Sequence, residues 1–548
     1  MKLSFNSLFI VINLLLFFLS SCKKDDDIPK IAIEPSSLTM TVGQYTNTKL
    51  TVKYNGVEIM PEEVIWNSKD TSIAKMGKTG FVYGIWTGET DVTATLVNGK
   101  GFASCKIIVY DEHSYKFRLI LRDKGTSSYS INRPSEFLSL KAIARRTKQN
   151  LQIDETDLPI SPEYINKIEQ IGGVIVAKSK WLKTVTVYFT DVALLDKYKQ
   201  LPFVENTFMV WMGDEIAKKS TKEITQNLRS SNGILNKHEN DSAYYGSAWI
   251  NINKNKGQVL HELGYRGAGI DIAVIDDAFL GIKSNPTLSN INIKGAKSFI
   301  YESKNPFETY SHGVWVTSCM ATNKPGYYVG TAPEANYWLM RTEDSSSEYP
   351  IEQDYWVAAI EYADSVGVDV VNTSLYYTFS QFPPYKYNWE NMDGKTEMAS
   401  RGANMAAGKG IFIVCCAGNE LSWVGTPGDS PNVLTVGAIG ASNGITVDGR
   451  IKPDIISFSL WAQVIDINGD ASLRIGTSYS SPIICGLAAC LWQAYPMLTN
   501  KELMEIIKKS ADQYNNPQLP FGYGIPNMER ALQLSKQKYI EMEYSLFD

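Results

Sequence analysis

The 548-residue chain is poor in histidine and cysteine and has no excess of basic residues. Its 53 lysines and arginines are outnumbered by 58 acidic residues, and its pI is near 5.7, so a nucleic-acid partner is not expected. The seven cysteines and four histidines lack the spacing of metal ligands, so we predict no metal centre and no cofactor, with a structural calcium ion left open. Four cysteines lie in apolar runs, where a free thiol acts as a small hydrophobic group, and no disulfide framework is predicted: Cys415, Cys416, Cys485 and Cys490.

The N-terminus has the pattern of an export signal. Lys2 precedes an apolar run at 8–19, which is too short to span a membrane comfortably but suits the hydrophobic part of a signal peptide. The run ends in Leu19-Ser20-Ser21-Cys22, which resembles a lipobox. We therefore expect a lipoprotein signal peptide at 1–21 and lipidation of Cys22. A plain signal peptide with an incidental cysteine is the alternative.

A charged tether is predicted at 22–30, where Lys23-Lys24-Asp25-Asp26-Asp27 follows the cysteine. Such a stretch resembles the surface-export signal of some Gram-negative lipoproteins. The sequence thus predicts a lipoprotein of the outer membrane or cell surface of a Gram-negative bacterium, held at the membrane by the lipid on Cys22.

Residues 31–111 carry short alternating runs broken by Gly, Asn and Asp, which is typical of a small β-sandwich. The segment resembles a bacterial Ig-like domain, with Trp66 as an expected core residue. It contains no catalytic cluster, so we predict a spacer or adhesion role for it.

In the segment 244–548, short β-branched runs alternate with helical runs, which predicts an α/β fold with a doubly wound parallel sheet. Open sheets of this kind place their sites at the carboxyl ends of the strands. The strand-like run at 270–276 ends in Asp276, which is therefore expected to deliver a carboxylate to such a site.

The stretch Gly476-Thr477-Ser478-Tyr479-Ser480-Ser481-Pro482 leads into an apolar run at 483–492. This order predicts a tight turn opening a buried helix, with Gly476 in an unusual backbone conformation and Pro482 in the first turn. Ser478 would stand near the helix N-terminus, where free N–H groups and the helix dipole favour developing negative charge. Its hydroxyl is a candidate nucleophile, and a Ser/Thr N-cap on a core helix is the alternative.

A serine nucleophile requires a base, and the four histidines offer few choices. Three of them lie in charged or polar surroundings: His113, His238 and His261. Only His312 begins an apolar, helix-like run with a glycine beside it. The chain order of Asp276, His312 and Ser478 is also the order of the triad in subtilisin.

Four segments together resemble the subtilase family of subtilisin-like serine peptidases: Val274-Ile275-Asp276, His312-Gly313, Ala417-Gly418-Asn419 and the stretch around Ser478. The resemblance implies hydrolysis of polypeptide substrates through an acyl-enzyme, with Asp276, His312 and Ser478 as the triad. It also implies that Asn419 donates its side-chain amide to the oxyanion. Asp277 is a competing acid, but Asp276 occupies the motif position and adjacent residues of a strand face opposite ways.

The chain departs from the family pattern beside the expected substrate site. Ser374-Leu375-Tyr376 stands where the family has Ser-Leu-Gly, the segment that pairs with substrate beside the primary specificity pocket. These three residues, with Ala417 and Gly418, are the predicted substrate-binding residues. A tyrosine there could narrow the pocket or alter its rim. The alternative function is therefore a catalytically weak or inactive surface lipoprotein that uses the fold to bind peptides or partners.

Residues 114–213 combine strand-like and helix-like runs in an α+β pattern, with Arg145-Arg146 on a polar helix. Placed just before a subtilase-like domain, this unit resembles that family's propeptide, which caps the active-site cleft, assists folding and is cut off. An unrelated α+β module is the alternative. Residues 214–243 are rich in Lys, Ser, Thr and Asn, which predicts a linker and the place of maturation cleavage.

Overall fold

The computed structural model describes residues 30–42, 45–99, 101–111, 113–214, 242–345, 347–380, 385–420, 422–438, 440–458 and 460–544. The predicted signal peptide, Cys22 and most of the predicted linker lie outside these residues. The described residues form two compact units that divide at residue 113. No helix among them is long and apolar enough to cross a membrane.

The first unit is rich in strands whose side chains alternate between a buried and an exposed face. This two-residue period places Val92, Ala94, Cys105 and Ile107 fully inside. Its strands form sheets of order β1-β4-β5, β2-β10-β9-β6 and β3-β8-β7. Their bounds are β1 (Ile31–Glu34), β2 (Ser37–Thr41), β3 (Tyr45–Lys49), β4 (Thr51–Tyr54), β5 (Val57–Glu58), β6 (Val64–Ser68), β7 (Ala74–Met76), β8 (Phe81–Gly84), β9 (Gly88–Leu96) and β10 (Phe102–Tyr110).

Trp66 does not lie in the core as predicted but is only half-buried. It belongs to β6, which is the edge strand of its sheet. Its ring packs beside Gly80, where an added Cβ would lie 3.4 Å from Trp66 Cζ2. An edge position covered by a glycine leaves part of the indole exposed, whereas Val64 on the same strand is buried.

Residues 113–214 form an α+β domain with an antiparallel sheet of order β12-β13-β11-β14. Tyr115, Leu119, Val185 and Val187 are fully buried in it. Helix α2 begins at Pro162, because the Ser161 side chain caps it and proline suits its first position. The elements are β11 (His113–Leu121), α1 (Leu140–Lys148), α2 (Pro162–Gln170), β12 (Val174–Ser179), β13 (Thr184–Phe189), α3 (Leu194–Lys199) and β14 (Val204–Asp214).

The described part of residues 242–544 contains a sheet of seven parallel strands in the order β16-β19-β15-β20-β21-β22-β25. The strands of this region are β15 (Asp271–Asp276), β16 (Asn292–Ser298), β17 (Asn323–Lys324), β18 (Tyr328–Val329), β19 (Asn336–Arg341), β20 (Val370–Thr373), β21 (Phe412–Cys416), β22 (Leu434–Gly437), β23 (Gly444–Ile445), β24 (Ile451–Lys452), β25 (Ile455–Ile456), β26 (Ala462–Ile465) and β27 (Ala471–Arg474). The helices are α4 (Ser242–Tyr245), α5 (Trp249–Asn253), α6 (Gln258–Glu262), α7 (His312–Ala321), α8 (Ile351–Val366), α9 (Met398–Gly408), α10 (Thr477–Ala494), α11 (Asn500–Ser510) and α12 (Met528–Tyr544).

Helices cover both faces of this sheet. Ile272 and Val274 of β15 pack with α7 and α10 in one apolar cluster. Ala273 and Ile275 pack with α8 and α9 in another. Because both faces are covered, all six residues of β15 are buried and its apolar run is continuous. The predicted doubly wound sheet is confirmed.

Helix α10 starts earlier than predicted relative to Pro482. Its first residue is Thr477, so Pro482 is the sixth residue and lies in the second turn rather than the first. Proline has no N–H and cannot bond to the carbonyl of Ser478 four residues earlier. That carbonyl instead accepts a hydrogen bond from Ser374 Oγ at 2.8 Å. The proline thus frees a backbone group that ties α10 to the chain just after β20.

The α+β domain docks on α8 through a buried cluster of charges. Arg145 and Arg146 lie on a helix as predicted, α1, but both are buried within it, at 4% and 1% exposed. Both donate to Asp364 of α8, and Arg146 Nη2 also lies 2.8 Å from Asp157 Oδ1. The two guanidinium groups are buried because carboxylates from distant parts of the chain surround them.

Two further carboxylates on α8 accept hydrogen bonds from the same domain. Asp354 accepts from Arg118 Nε at 2.8 Å and from Thr186 Oγ1 at 2.6 Å. Glu361 accepts from the backbone N–H groups of Lys180 and Trp181 at 3.0 and 3.1 Å. Seven residues apart, these two carboxylates share one face of the helix.

We expect Arg146→Ala to destabilise the unit formed by residues 113–544 by about 3–5 kcal/mol, because removing one partner leaves buried carboxylates without their counter-charge. Chemical denaturation of the full-length protein measures this effect. Arg133→Ala is the matched control, since Arg133 pairs with Glu136 on the surface and both side chains are well exposed. Equal destabilisation by the two substitutions would contradict the stabilising role given to the buried charge cluster around Arg146.

Candidate active site

Asp276 ends β15 at the carboxyl edge of the sheet and is fully buried. Its Oδ1 lies 2.7 Å from His312 Nδ1 and accepts the backbone N–H of Asp277 at 2.9 Å. The competing acid, Asp277, instead accepts a hydrogen bond from the Ser345 side chain. Of the two carboxylates weighed in the sequence, Asp276 is therefore the one that contacts the imidazole.

His312 is the first residue of α7, as the sequence predicts. The helix can approach the chain after β15 because its second residue is Gly313. A Cβ there would lie 2.6 Å from Phe279 Cε1 and 2.7 Å from the carbonyl oxygen of Ala278. The Gly313 N–H donates to that same carbonyl at 3.0 Å. This close approach brings the imidazole within reach of Asp276.

Ser478 is the second residue of α10 and is 7% exposed. Gly476, two residues before Ser478, has φ +145°, a backbone conformation that favours glycine, as predicted. The ring of Tyr479, next in the chain, has its centroid 6.1 Å from that of His312. The starts of α7 and α10 are therefore neighbours, and the candidate nucleophile lies on the turn beside the candidate base.

Asn419 follows β21 and is exposed at the same edge of the sheet. Its Oδ1 accepts hydrogen bonds from Thr477 N at 2.8 Å and from Thr477 Oγ1 at 3.0 Å. Because a backbone N–H can only donate, these bonds fix the orientation of the amide and leave Nδ2 as its donor. Thr477, which the sequence analysis gave no role, thus orients Asn419 beside Ser478.

A buried polar network under the site was not recognised in the sequence. Asn372 in β20 accepts from Ser481 Oγ at 2.7 Å and donates from Nδ2 to Ser374 Oγ at 3.1 Å. It connects α10 with Ser374, whose hydroxyl bonds to the Ser478 carbonyl. The signal that could have revealed it is a lone amide ending the apolar run at 368–372.

The predicted substrate-binding residues divide into two sets. Ser374, Tyr376 and Gly418 lie beside the start of α10, with Tyr376 half-buried against Gly418. Leu375 packs partly into the apolar cluster of α8 and α9, and Ala417 is fully buried. The side chains of the second set therefore support the site from inside the domain.

Two carboxylates raise the pKa of His312. Burial acts to lower it, but the charge and hydrogen bond of Asp276 and the charge of Asp277 together raise this pKa to about 9. Burial raises the pKa of Asp277 to about 6, and the nearby Asp276 charge adds to the rise. At alkaline pH Asp277 is therefore ionised while the imidazole loses its proton.

Acidic side chains that the sequence analysis did not single out lie alongside the site. Burial raises the pKa of Glu343 to about 8, with neighbouring negative charge adding to the shift. Glu348 is exposed and interacts electrostatically with both Asp277 and Glu420. It therefore lies within electrostatic range of the residues that directly follow Asp276 and Asn419 in the chain.

Within the described part of the chain, no group of three or more His, Cys, Asp or Glu residues is arranged to hold a metal ion. The cysteines predicted to act as small hydrophobic groups are all buried free thiols: Cys415, Cys416, Cys485 and Cys490.

Comparison with protein families assigns each region. Residues 267–525 match the model of the Subtilase family, a span that includes Asp276, His312, Asn419 and Ser478. These residues form a subtilase domain. Residues 116–227 match the Peptidase S8 propeptide domain of Bacteroidota, and residues 27–107 match the Bacterial Ig-like domain (group 2).

Curated relatives of the chain include several subtilisins. Subtilisin NAT of Bacillus subtilis subsp. natto and subtilisin E of Bacillus subtilis (strain 168) are each 28% identical over 300 residues, which is 53% of this chain and 72% of the relative. The thermostable alkaline protease of Halalkalibacterium halodurans is 25% identical over 352 residues, 63% of this chain and 86% of that protein. The subtilase domain is that of a serine endopeptidase.

We expect kcat/KM for peptide hydrolysis to rise with pH until about 9, because the imidazole must be neutral to accept a proton and its pKa is raised to about 9. Asp277→Asn removes a negative charge that raises this pKa, so the rising limb should move to lower pH. A pH series of kcat/KM for both enzymes measures the shift. Glu541→Gln, on the exposed part of α12, is the control and should leave the limb in place. An Asp277→Asn profile that coincides with wild type would contradict the role given to this charge.

Proposed function

We propose that the chain hydrolyses peptide bonds through Asp276, His312 and Ser478. The observation that carries the proposal is the 2.7 Å contact between His312 Nδ1 and Asp276 Oδ1, beside the turn that bears Ser478. This contact keeps the proton on Nδ1 and leaves Nε2 to accept the Ser478 hydroxyl proton. Ser478 attacks the carbonyl, His312 returns the proton to the leaving amine, and water then hydrolyses the acyl-enzyme.

The oxyanion would be held by Asn419 Nδ2 and the backbone N–H of Ser478. Supporting this, Thr477 holds the oxygen end of the Asn419 amide and so presents its donor end. Ser478 lies in the first turn of α10, where backbone N–H groups have no partner within the helix. Donors fixed in advance stabilise the developing charge without rearrangement during the reaction.

Residues 114–213 would act as an inhibitory propeptide that is removed by cleavage in the linker at 214–243. The contacts of Asp354, Glu361 and Asp364 with this domain support a docked precursor. Near the end of β14, the ring centroid of Trp211 lies 6.2 Å from that of Tyr349, the neighbour of Glu348. The described part of the domain therefore ends near Glu348.

The N-terminal signals complete the proposal. A signal peptide at 1–21 would direct export, and a lipid on Cys22 would hold the enzyme at the outer membrane or cell surface. The Ig-like region would then separate the peptidase from that surface.

We expect Cys22→Ser to abolish incorporation of a labelled fatty acid, whereas Cys105→Ser, which replaces a buried thiol in β10, should still be labelled. Continued labelling of Cys22→Ser would refute the anchor.

A serine-directed fluorophosphonate tests the nucleophile. Wild-type protein with the propeptide removed should be labelled, and Ser478→Ala should not be. Ser480→Ala is the matched control, since Ser480 is fully buried in the same helix and should leave labelling intact. If processing is autocatalytic, Ser478→Ala should also remain full length.

The absence of labelling in processed wild-type protein would favour the second candidate function, a peptide-binding protein without activity. The observation in favour of that candidate is the Tyr376 ring against Gly418, in the space beside the nucleophile.

We expect Asn419→Ala to lower kcat by about 10²–10³-fold, since it removes one of the two oxyanion donors. KM should change little, because this donor acts mainly on the transition state. Steady-state kinetics on a peptide substrate separates the two constants. Asn516→Ala, at an exposed asparagine, serves as the control. A change confined to KM would show that Asn419 binds substrate rather than the oxyanion.

A further inference from the structure

The position of the scissile carbonyl determines where the substrate side chain before it must lie. In the proposed mechanism the carbonyl carbon approaches Ser478 Oγ and its oxygen points to Asn419 Nδ2. Two chain segments border this point, residues 374–376 after β20 and residues 417–419 after β21. Since β20 and β21 are neighbours in the parallel sheet, the segments leave its edge side by side. The gap between them receives the side chain of the residue that precedes the scissile bond.

Both segments are fixed to the start of α10, so the gap opens directly beside the nucleophile. Ser374 Oγ donates to the Ser478 carbonyl at 2.8 Å. On the other side, the Gly418 N–H donates to Thr477 Oγ1 at 3.2 Å, and Asn419 accepts from the same threonine. The width of the gap is therefore set by buried contacts and not by mobile side chains.

Tyr376 spans this gap. A Cβ on Gly418 would lie 3.1 Å from both Cδ2 and Cε2 of the Tyr376 ring, so the ring lies against the bare backbone of the opposite segment. The backbone N–H of Asn419 donates to the Tyr376 hydroxyl, which fixes the far end of the ring. Burial raises the pKa of Tyr376 to about 12, as expected for a phenol in a desolvated gap.

We propose that Tyr376 closes the primary specificity pocket and restricts the enzyme to substrates with a small residue, glycine or alanine, before the scissile bond. This inference rests on the proposed function and specifies its substrate class. A larger side chain would have to displace the ring, break its hydrogen bond to the Asn419 backbone and disturb the residue that holds the oxyanion. The Ser374-Leu375-Tyr376 segment thereby changes selectivity without removing a catalytic group.

The test uses processed enzyme and peptides that differ only in the residue before the scissile bond: Gly, Ala, Leu or Phe. For wild type we expect kcat/KM to fall by at least about 100-fold from Ala to Phe, because a phenyl ring cannot enter the closed gap without displacing Tyr376. Tyr376→Gly should lower this ratio at least about tenfold by opening the gap. Tyr376→Phe keeps the ring but loses its anchor, so it should show an intermediate ratio.

Efficient wild-type cleavage after Phe, or a Tyr376→Gly profile equal to wild type, would overturn the proposal. Fluorophosphonate labelling of each variant tests whether Ser478 is reactive, independently of which peptides are cleaved. A variant without a working triad is not labelled, whereas a variant with an open pocket is labelled but has lost its selectivity. Binding provides a readout without turnover: calorimetry on the wild-type protein should show tighter binding of product peptides ending in Ala than of those ending in Phe. Equal affinities for the two product peptides would contradict a closed pocket, and this measurement applies even if the protein is inactive. If Tyr376→Gly does not fold, Tyr376→Ala takes its place.

Discussion

The hydrogen bond from the Ser374 hydroxyl to the Ser478 carbonyl is the contact on which the geometry of the site depends. It forms because Pro482 cannot supply the helical N–H that would otherwise occupy this carbonyl. Asn372 forms hydrogen bonds with both Ser374 and Ser481. One amide in the sheet therefore positions Ser374 and, through Ser481, the helix that carries Ser478. The candidate nucleophile is therefore positioned by the central sheet and by the proline in its own helix, and not by a surface loop.

Two adjacent carboxylates at one strand end occupy different environments. Asp276 accepts hydrogen bonds from the Asp277 backbone and contacts the imidazole. Asp277 is nearly as buried, and burial raises its pKa; each carboxylate has one oxygen without a hydrogen-bond partner among the described residues. The two differ because β15 ends at Asp276 and Asp277 lies in the chain that follows it. Asp276 thus contacts the imidazole of His312 directly, while Asp277 acts on it through charge.

The residues of the candidate site could be predicted because their signals are local. A continuous apolar run ending in Asp276 and an apolar helix beginning at His312 reflect burial on both sides of the sheet. The burial of Arg145 and Arg146 could not be predicted in this way, because their partner Asp364 lies about 220 residues further along the chain. The half-buried state of Trp66 depends likewise on Gly80, which lies in the turn between β7 and β8. Short-range sequence patterns predict which helix or strand forms. Contacts between elements that are distant in sequence decide which polar side chains of that helix or strand are buried.

The guanidinium groups at the junction between the α+β domain and α8 affect how the two sides of this junction can separate. Arginine keeps its proton at every pH that a living compartment maintains, so Arg145 and Arg146 stay cationic throughout. The cluster also contains Lys409, which follows α9 and whose Nζ lies 3.0 Å from Asp157 Oδ2. Each side of the junction therefore supplies a cation and a carboxylate to the other, so parting the two sides would leave unpaired charges of both signs on each face.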